Sequence, residues 1–193
     1  MSEAITGILL SGGNSRRMGR DKALLPYQGS TLLGHAATLL ASVCTPIFII
    51  STNPKHQTPI SSTFADTYPN HGPLGGIFTG LKAAQTKWAL VLACDMPRIT
   101  PDFLGSLCAL PPQYPAADLI IFQENDRLQP LCALFSKSSL DLIAEAIALN
   151  SLSVNKIIQK LHTEIVPANA NFAGWFPGIF DNWNRPEDLL IQE

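Results

Sequence analysis

The sequence predicts a single-domain α/β protein with three layers, in which helices cover both faces of a Rossmann-like, mostly parallel sheet. Short, wholly apolar runs alternate along the chain with helical patterns, and strands that are apolar on both sides are typical of a parallel sheet covered by helices. The length of 193 residues fits one domain. No long linker and no internal repeat divides the chain, so residues 1–193 are expected to fold as one unit.

The first half of the chain predicts three buried strands and two helices. The strands are the apolar runs over residues 5–10, 46–51 and 88–93. The first helix, over residues 31–43, has apolar residues on one face and Ser30 as its predicted N-cap. The second helix, over residues 74–85, follows a Gly-Pro turn.

The second half predicts shorter elements of both kinds. Thr100 is expected to cap a helix over residues 101–110, because a proline occupies the first position after it. The remaining elements are strands at residues 119–123 and 131–135, helices at 138–149 and 153–162, a short strand at 164–167 and a closing helix at 186–191.

Composition and charge exclude several classes of protein. Hydrophobic residues make up 46% of the chain and charged residues 15%, which excludes a disordered chain. The net charge of −2 disfavours binding to nucleic acid or to an acidic membrane surface. No apolar run reaches the ~20 residues that cross a bilayer, and the residues before the first strand lack the basic start of a signal peptide. The expected location is therefore cytoplasmic.

Cysteine and histidine spacing offers no metal site. The four cysteines are far apart and include no CxxC pair, so they are expected to be reduced, buried thiols. The four histidines, His56 among them, also lack the spacing of metal ligands and are predicted as core or surface residues.

A glycine-rich, basic loop follows the first strand. Its sequence, SGGNSRRMGRDK, contains four of the 13 basic residues of the chain. Gly12 and Gly13 allow the backbone to turn its N–H groups towards an anion, and Arg16 and Lys22 can add charge-assisted bonds to phosphate oxygens. Because the spacing matches neither GxxxxGK[ST] nor GxGxxG, the loop predicts a polyphosphate site of another kind.

Polar residues also follow the later strands, at the edge of the sheet where ligands bind. Asp95 comes after the strand at 88–93 and is the predicted Mg²⁺ ligand, since Mg²⁺ takes one or two carboxylates together with substrate phosphates and water. Asn53 and Asp66 follow two other segments and are candidates for contacts with a base. The segment HGPLGG, residues 71–76, either presents free helix N–H groups to a ligand or packs its glycines closely on the sheet.

Five segments occur together in one order along nearly the whole chain. They are LSGGNSRRMGRDKALL at 10–25, HGPLGG at 71–76, CDMP at 94–97, QPLCALF at 129–135 and DNWNRPEDL at 181–189. In this combination the chain resembles the molybdenum cofactor guanylyltransferase family. The resemblance implies a fold of the nucleotide-diphospho-sugar transferase type. It also implies that GMP passes from GTP to the terminal phosphate of molybdopterin, which releases pyrophosphate and forms molybdopterin guanine dinucleotide.

The resemblance assigns a GTP-binding set to this sequence. Its members are Leu10, Ser11, Gly12, Lys22, Asn53, Asp66 and Asp95. Gly13 joins the nucleotide-binding set through its place in the glycine-rich loop. Lys22, Asp95 and Arg16 are the candidate catalytic residues, with Asp95 also holding Mg²⁺. Ser11 stands where the family usually has alanine.

The pterin acceptor is expected at the C-terminal part of the chain, while the N-terminal part binds GTP. Asn182 and Asn184 carry uncharged donors and acceptors that suit the amide and amino edge of a pterin. Trp183 and Arg185 depart from the family's usual aliphatic residue and threonine, and so bear on the shape of this site.

Two other functions stay open on the sequence. One is a cytidylyl- or other nucleotidyltransferase of the same superfamily, which base preference would separate from the guanylyl enzyme. The other is a non-catalytic nucleotide-binding adaptor, which the presence of both Lys22 and Asp95 disfavours. The expected partners are GTP and molybdopterin as substrates, with transient contacts to molybdenum insertion proteins and apo-molybdoenzymes, and with neither nucleic acid nor membrane.

Overall fold

A seven-stranded sheet forms the middle layer of the protein in the computed structural model, which describes residues 3–11 and 21–183. Its strands are β1 (Ile5–Leu10), β4 (Ile47–Ile50), β5 (Ser62–Phe64), β6 (Trp88–Ala93), β7 (Leu119–Glu124), β8 (Arg127–Ser136) and β9 (Thr163–Pro167). A separate small hairpin joins β2 (Pro26–Tyr27) and β3 (Ser30–Thr31). The sheet order is β5-β4-β1-β6-β8-β7-β9, and β8 is antiparallel to both of its neighbours while the other neighbouring pairs are parallel. The prediction of a mostly parallel sheet is confirmed.

Helices cover both faces of this sheet, as predicted. In the described part of the chain they are α1 (Leu32–Ala41), α2 (Gly72–Ala83), α3 (Pro101–Cys108), α4 (Leu140–Ala148) and α5 (Val154–Ile158). Helices α1 and α3 share one core with Leu9, whereas α2, α4 and α5 share another with its neighbour Ile8. Successive side chains of a strand point to opposite faces, so β1 contributes to both cores. None of these helices is long and apolar enough to cross a membrane.

Several predicted element bounds shift in the structure. Thr31, and not Ser30, is the N-cap of α1, because its hydroxyl accepts a hydrogen bond from the backbone N–H of Gly34 at 3.0 Å. Helix α2 begins at Gly72, two residues before the prediction, because proline fits the first turn of a helix. Helix α5 stops at Ile158, short of the predicted end at residue 162. The predicted closing helix at 186–191 lies outside the described residues.

Strand β8 is twice as long as the sequence predicts. It starts at Arg127 because a tight turn, Asn125-Asp126, connects it to β7. Both turn residues have positive φ angles of 48° and 61°, as two-residue hairpin turns of this type require. The pairing with β7 shifts register between Ile121 and Gln123, so β8 bulges away from its partner.

Glycine 80 gives α2 its close contact with β1, and its replacement is expected to destabilise the fold. A Cβ at this position would lie 2.6–2.8 Å from three side-chain atoms of Ile8, which is fully buried. Overpacking of this kind costs about 1–3 kcal/mol, so Gly80→Ala should lower the free energy of unfolding by that amount. Gly105 is the matched control, since a Cβ there has no neighbour within 4 Å. Gly105→Ala should stabilise by up to about 1 kcal/mol in the same urea titration, through helix propensity alone. Equal effects of the two substitutions would contradict this account.

Candidate active site

A cleft of about 570 Å³ opens at the carboxyl ends of β1, β4 and β6. Parallel strands end at one edge of the sheet, and the chain segments that leave them there form the walls. The lining residues are Leu10, Ser11, Asp21, Lys22, Ala23, Ile50, Ser51, Thr52, Asp66, Pro69, Asn70, Gly72, Pro73, Gly76, Ala93, Cys94, Asp95 and Leu131. Five of the predicted nucleotide-binding residues therefore line the same cleft. They are Leu10, Ser11, Lys22, Asp66 and Asp95.

Lys22 and Asp95 form an ion pair in this cleft although 73 residues separate them. The Lys22 ammonium donates to Asp95 Oδ2 at 2.9 Å, and both side chains are largely buried. Strands β1 and β6 pair in parallel with Leu10 opposite Ala93, which puts the segments that follow them side by side. Lys22 begins a short 3₁₀ turn, Lys22–Leu24, which Asp21 caps by accepting the backbone N–H of Ala23.

The second oxygen of Asp95 fits a cation. Asp95 Oδ1 is buried and has no hydrogen-bond partner among the described residues. A buried carboxylate oxygen without a partner is costly, so it calls for a bound donor or a metal ion. No cluster of three or more histidine, cysteine, aspartate or glutamate side chains surrounds it within residues 3–11 and 21–183. This donor set suits Mg²⁺, which takes its remaining ligands from phosphates and water.

Cys94 lies next to Asp95 and lines the same cleft, but its chemistry is that of a core thiol. Burial, followed by the nearby Asp95 carboxylate, raises the pKa of Cys94 to about 12. A thiol with that pKa stays protonated near neutral pH and is no nucleophile.

Asp66 and the start of α2 form the far wall of the cleft. Asp66 Oδ1 accepts hydrogen bonds from the backbone N–H of Tyr68 at 2.9 Å and from the Thr79 hydroxyl at 3.3 Å. The glycines of HGPLGG serve close packing here: a Cβ on Gly75 would lie 2.5 Å from the Tyr68 carbonyl oxygen. A Cβ on Gly76 would lie 2.8 Å from Leu10 Cδ2. The structure supports the packing role, and because Gly72, Pro73 and Gly76 also line the cleft, contact of this helix start with a ligand stays a prediction.

Asn53 is not among the residues that line the cleft; it belongs to a partly buried polar network in the cleft wall. Its amide Nδ2 donates to Asp21 Oδ2 at 2.6 Å, and His56 Nε2 lies 2.8 Å from the same oxygen. His56 Nδ1 in turn faces the hydroxyls of Ser51 at 2.7 Å and Ser11 at 3.1 Å. His56 is a core histidine, as the sequence predicts, but its connection to three residues of the cleft wall was not foreseen. The available signal was its place three residues after Asn53, at the same edge of the sheet.

A second cleft, of about 630 Å³, lies beside the C-terminal segment. Its lining residues are Glu124, Asn125, Arg127, Leu128, Gln129, Gly178, Phe180, Asp181 and Asn182. Glu124 Oε1 is buried there without a hydrogen-bond partner among the described residues. Asp181 is held by Arg98, whose Nη1 donates to its carboxylate at 2.8 Å. The predicted pterin residue Asn182 thus lies in a polar cavity that is distinct from the first cleft.

The two clefts adjoin each other. The backbone N–H of Trp183 donates to the carbonyl oxygen of Asp95 at 2.9 Å, which ties the segment carrying Asn182 to the end of β6. Gln129 lines the second cleft and Leu131 the first. Two residues of chain span at most about 7 Å, so the linings of the two cavities approach each other along β8.

Trp183 does not shape the second cleft with its ring. The ring is 9% exposed and packs edge-on against Tyr27, in a small core with Leu32. The tryptophan that stands here in place of the family's usual aliphatic residue therefore changes the packing beneath the segment 181–183. The other departure, Arg185, lies outside the described residues, as do the predicted site residues Gly12, Gly13, Arg16 and Asn184.

Comparisons with known proteins agree on one family. The family model described as MobA-like NTP transferase domain matches residues 7–165. A relative from Chloroflexus aggregans, named a probable molybdenum cofactor guanylyltransferase, is 35% identical over 97% of this chain and 92% of its own. A molybdenum cofactor guanylyltransferase from Vibrio cholerae is 30% identical over 94% of this chain and 88% of its own.

Solved structures show the same fold. A crystal structure of molybdopterin-guanine dinucleotide biosynthesis protein A from Archaeoglobus fulgidus matches with a TM-score of 0.82 at 21% identity, covering 96% of this chain and 95% of that chain. A 2-C-methyl-D-erythritol 4-phosphate cytidylyltransferase from Thermus thermophilus matches with a TM-score of 0.68 at 14% identity, covering 97% and 96%. The expected nucleotidyltransferase type of fold is therefore confirmed.

Proposed function

The chain belongs to the family of MobA-like NTP transferase domains, and from that premise we propose that it transfers GMP from GTP to the terminal phosphate of molybdopterin. In this reaction an oxygen of the acceptor phosphate forms a bond with the α-phosphorus of GTP. The bond from the α-phosphorus to the oxygen that bridges to the β-phosphorus breaks, and pyrophosphate leaves with that oxygen. The products are pyrophosphate and molybdopterin guanine dinucleotide.

The pair of Lys22 and Asp95 is the observation that carries this proposal. Phosphoryl and nucleotidyl transfer need little covalent help from a protein, so most of the rate comes from positioning and from charge neutralisation. The Lys22 ammonium, largely buried in the turn Lys22–Leu24, is suited to bind and neutralise the triphosphate. Asp95 would hold Mg²⁺ through its unpartnered Oδ1, and Mg²⁺ offsets the charge that builds up on the leaving pyrophosphate.

The guanine base belongs at the opposite wall of the cleft, beside Asp66. Three strand spacings separate the ends of β5 and β6, which are therefore about 14 Å apart across the sheet, with Asp66 after the first and Asp95 after the second. That separation suits an extended nucleotide whose base and phosphates lie at opposite ends. Guanine presents N–H donors at N1 and N2, which match a carboxylate acceptor, whereas the corresponding edge of adenine carries an acceptor at N1.

The second cleft is suited to the pterin acceptor. A pterin edge offers an N–H and an amino group as donors and a carbonyl as acceptor. Glu124 Oε1 is a buried acceptor in this cleft, and the Asn182 amide provides both donor and acceptor atoms. Because this cleft adjoins the first one along β8, an acceptor bound there can direct its phosphate towards the Lys22–Asp95 pair.

Two further predictions from the sequence stay predictions. One is transient contact with molybdenum insertion proteins and apo-molybdoenzymes, and the other is a cytoplasmic location.

Nucleotide selectivity tests the proposal. We expect calorimetric titration with GTP, CTP, ATP and UTP, with and without Mg²⁺, to show tightest binding for GTP in the presence of Mg²⁺. Asp66→Asn should weaken GTP binding by about tenfold and leave ATP binding nearly unchanged, since one hydrogen bond to a charged group is lost. Asp141→Asn, on the exposed side of α4, is the control and should change neither.

Turnover then separates the guanylyl enzyme from its alternatives. Incubation with GTP, Mg²⁺ and molybdopterin should release pyrophosphate. A preference for CTP would assign the chain to a cytidylyl branch, and GTP binding without any pyrophosphate release in the presence of acceptor would favour the adaptor. Either result would overturn the proposed function.

A further inference from the structure

We propose that His56 is a positioning residue of the nucleotide site, which holds Ser11 and Asp21 together and thereby sets the place of Lys22. This inference rests on the proposed function only in that Lys22 binds the triphosphate. His56 is 3% exposed and is not among the residues that line the cleft, so it acts on the nucleotide through its neighbours.

Three hydrogen-bond partners, Ser51, Ser11 and Asp21, and one further polar neighbour, Asn53, surround the His56 ring. Nδ1 lies 2.7 Å from the Ser51 hydroxyl and 3.1 Å from the Ser11 hydroxyl. Nε2 lies 2.8 Å from Asp21 Oδ2, and the Asn53 amide is 3.4 Å away. The ring therefore links the ends of β1 and β4 to the residue that precedes Lys22.

The donors and acceptors of this network assign one arrangement of protons. A carboxylate can only accept, so the Nε2–H of His56 donates to Asp21. Nδ1 is then the acceptor that the Ser51 and Ser11 hydroxyls share, with Ser51 the nearer of the two. The Ser51 oxygen in turn accepts the backbone N–H of Asn53 at 3.0 Å. The Asn53 amide completes the cycle of hydrogen bonds by donating to Asp21 Oδ2 at 2.6 Å. Each hydrogen bond in this arrangement joins a donor to an acceptor, and the His56 side chain at its centre is buried, which strengthens the bonds that it makes.

The network reaches the reacting groups through Asp21. Its Oδ2 receives His56 and Asn53, while its Oδ1 accepts the backbone N–H of Ala23 at 3.1 Å and caps the turn Lys22–Leu24. The side chain of Lys22 leaves this turn towards Asp95. Ser11 and Asp21 also flank residues 12–20 in the sequence. Because His56 contacts both, it fixes the distance between the two ends of this glycine-rich segment.

This arrangement explains why Asn53 and His56 follow β4 so closely. Both side chains hold the Asp21 carboxylate, and neither is among the residues that line the cleft. Small misplacements of binding groups reduce catalytic rates strongly, so a positioning residue has a measurable kinetic effect.

A double-mutant cycle between His56 and Asp21 tests the proposal in the full-length protein. The measurements are kcat and KM for GTP, and the Kd for GTP with Mg²⁺, at a temperature where circular dichroism shows every variant folded. His56→Ala should lower kcat/KM for GTP by about tenfold. Asp21→Ala should do the same, and the double variant should be no worse than either single one, because the two residues act as a unit.

Two further variants keep the test decisive. His56→Gln retains an N–H donor for Asp21 and should recover much of the kcat/KM lost in His56→Ala, so it also serves if the alanine variant does not fold. His162→Ala is the matched control, since its ring is 59% exposed at the start of β9, and it should leave kcat/KM and Kd unchanged. Independent, multiplying effects of His56→Ala and Asp21→Ala would overturn the proposal. So would a loss of thermal stability in His56→Ala without any change in kcat/KM or Kd.

The cycle also distinguishes this inference from the proposed function. If the wild-type protein releases no pyrophosphate from any nucleotide, the proposed function fails. The coupling of His56 and Asp21 can then still be read from the Kd of whichever nucleotide binds. Non-additive effects of the His56 and Asp21 substitutions on that Kd would support the positioning role. Additive effects would contradict it.

Discussion

Asparagine in place of Asp95 should lower kcat for GMP transfer by about a thousandfold, the largest effect expected for a single substitution in this protein. The amide keeps the shape of the side chain and retains one oxygen for the Lys22 ammonium, which lies 2.9 Å from the carboxylate. What it removes is the negative charge and the buried, unpartnered Oδ1, and with them the means of holding Mg²⁺. The expected loss is therefore a loss of chemistry rather than of structure.

Metal dependence gives this prediction a readout besides activity. Calorimetry should show that Mg²⁺ tightens GTP binding to the wild-type protein and no longer does so in Asp95→Asn. The fold should remain intact, since the backbone carbonyl of Asp95 still accepts the N–H of Trp183. Asp141→Asn, a substitution of the same kind on exposed α4, should keep wild-type kcat and Mg²⁺ dependence. Near-normal turnover of Asp95→Asn would remove the residue from the metal site.

The sequence predicts the parts of the site that depend on strand ends. Strands β1 and β6 are apolar apart from Thr6 and have the predicted bounds, because burial on both faces leaves a pattern that few other structures produce. Once these strands are parallel neighbours, Ser11 and Asp95 must share one edge of the sheet. The common cleft of Leu10, Ser11, Lys22, Asp66 and Asp95 follows from this topology.

The parts that escaped prediction depend on single side-chain contacts. No periodicity distinguishes Asn53 facing a ligand from Asn53 facing Asp21, since both orientations leave the same residue at the same edge. The contacts of His56 could not be predicted from the sequence either, because its partners Ser11 and Asp21 are far away along the chain. Short elements escape prediction for another reason. Strands β2 and β3 have two residues each, which is too few to display an apolar pattern. The long β8 is hidden because its first half is partly exposed.

Alanine in place of Lys22 is expected to weaken GTP binding and to slow the transfer step. A hydrogen bond between charged groups contributes about 1.5–3 kcal/mol, which corresponds to roughly a 10- to 150-fold rise in the Kd for GTP. Lys22→Arg should recover part of the affinity, since it restores the positive charge with a different shape. Lys156→Ala, an exposed lysine on α5, is the control and should leave the Kd unchanged.

The combination of Lys22→Ala with Asp95→Asn separates two roles that lie 2.9 Å apart. If Lys22 binds phosphate and Asp95 holds Mg²⁺, the lysine variant should bind GTP weakly but still respond to Mg²⁺, whereas the asparagine variant should lose that response. Because the two side chains contact each other, their effects on kcat/KM should not multiply fully, and the double variant should be less impaired than the product of the two predicts. An unchanged Kd for GTP in Lys22→Ala would mean that Lys22 serves only to pair with Asp95, and the triphosphate would then have to be bound by other basic residues of the loop.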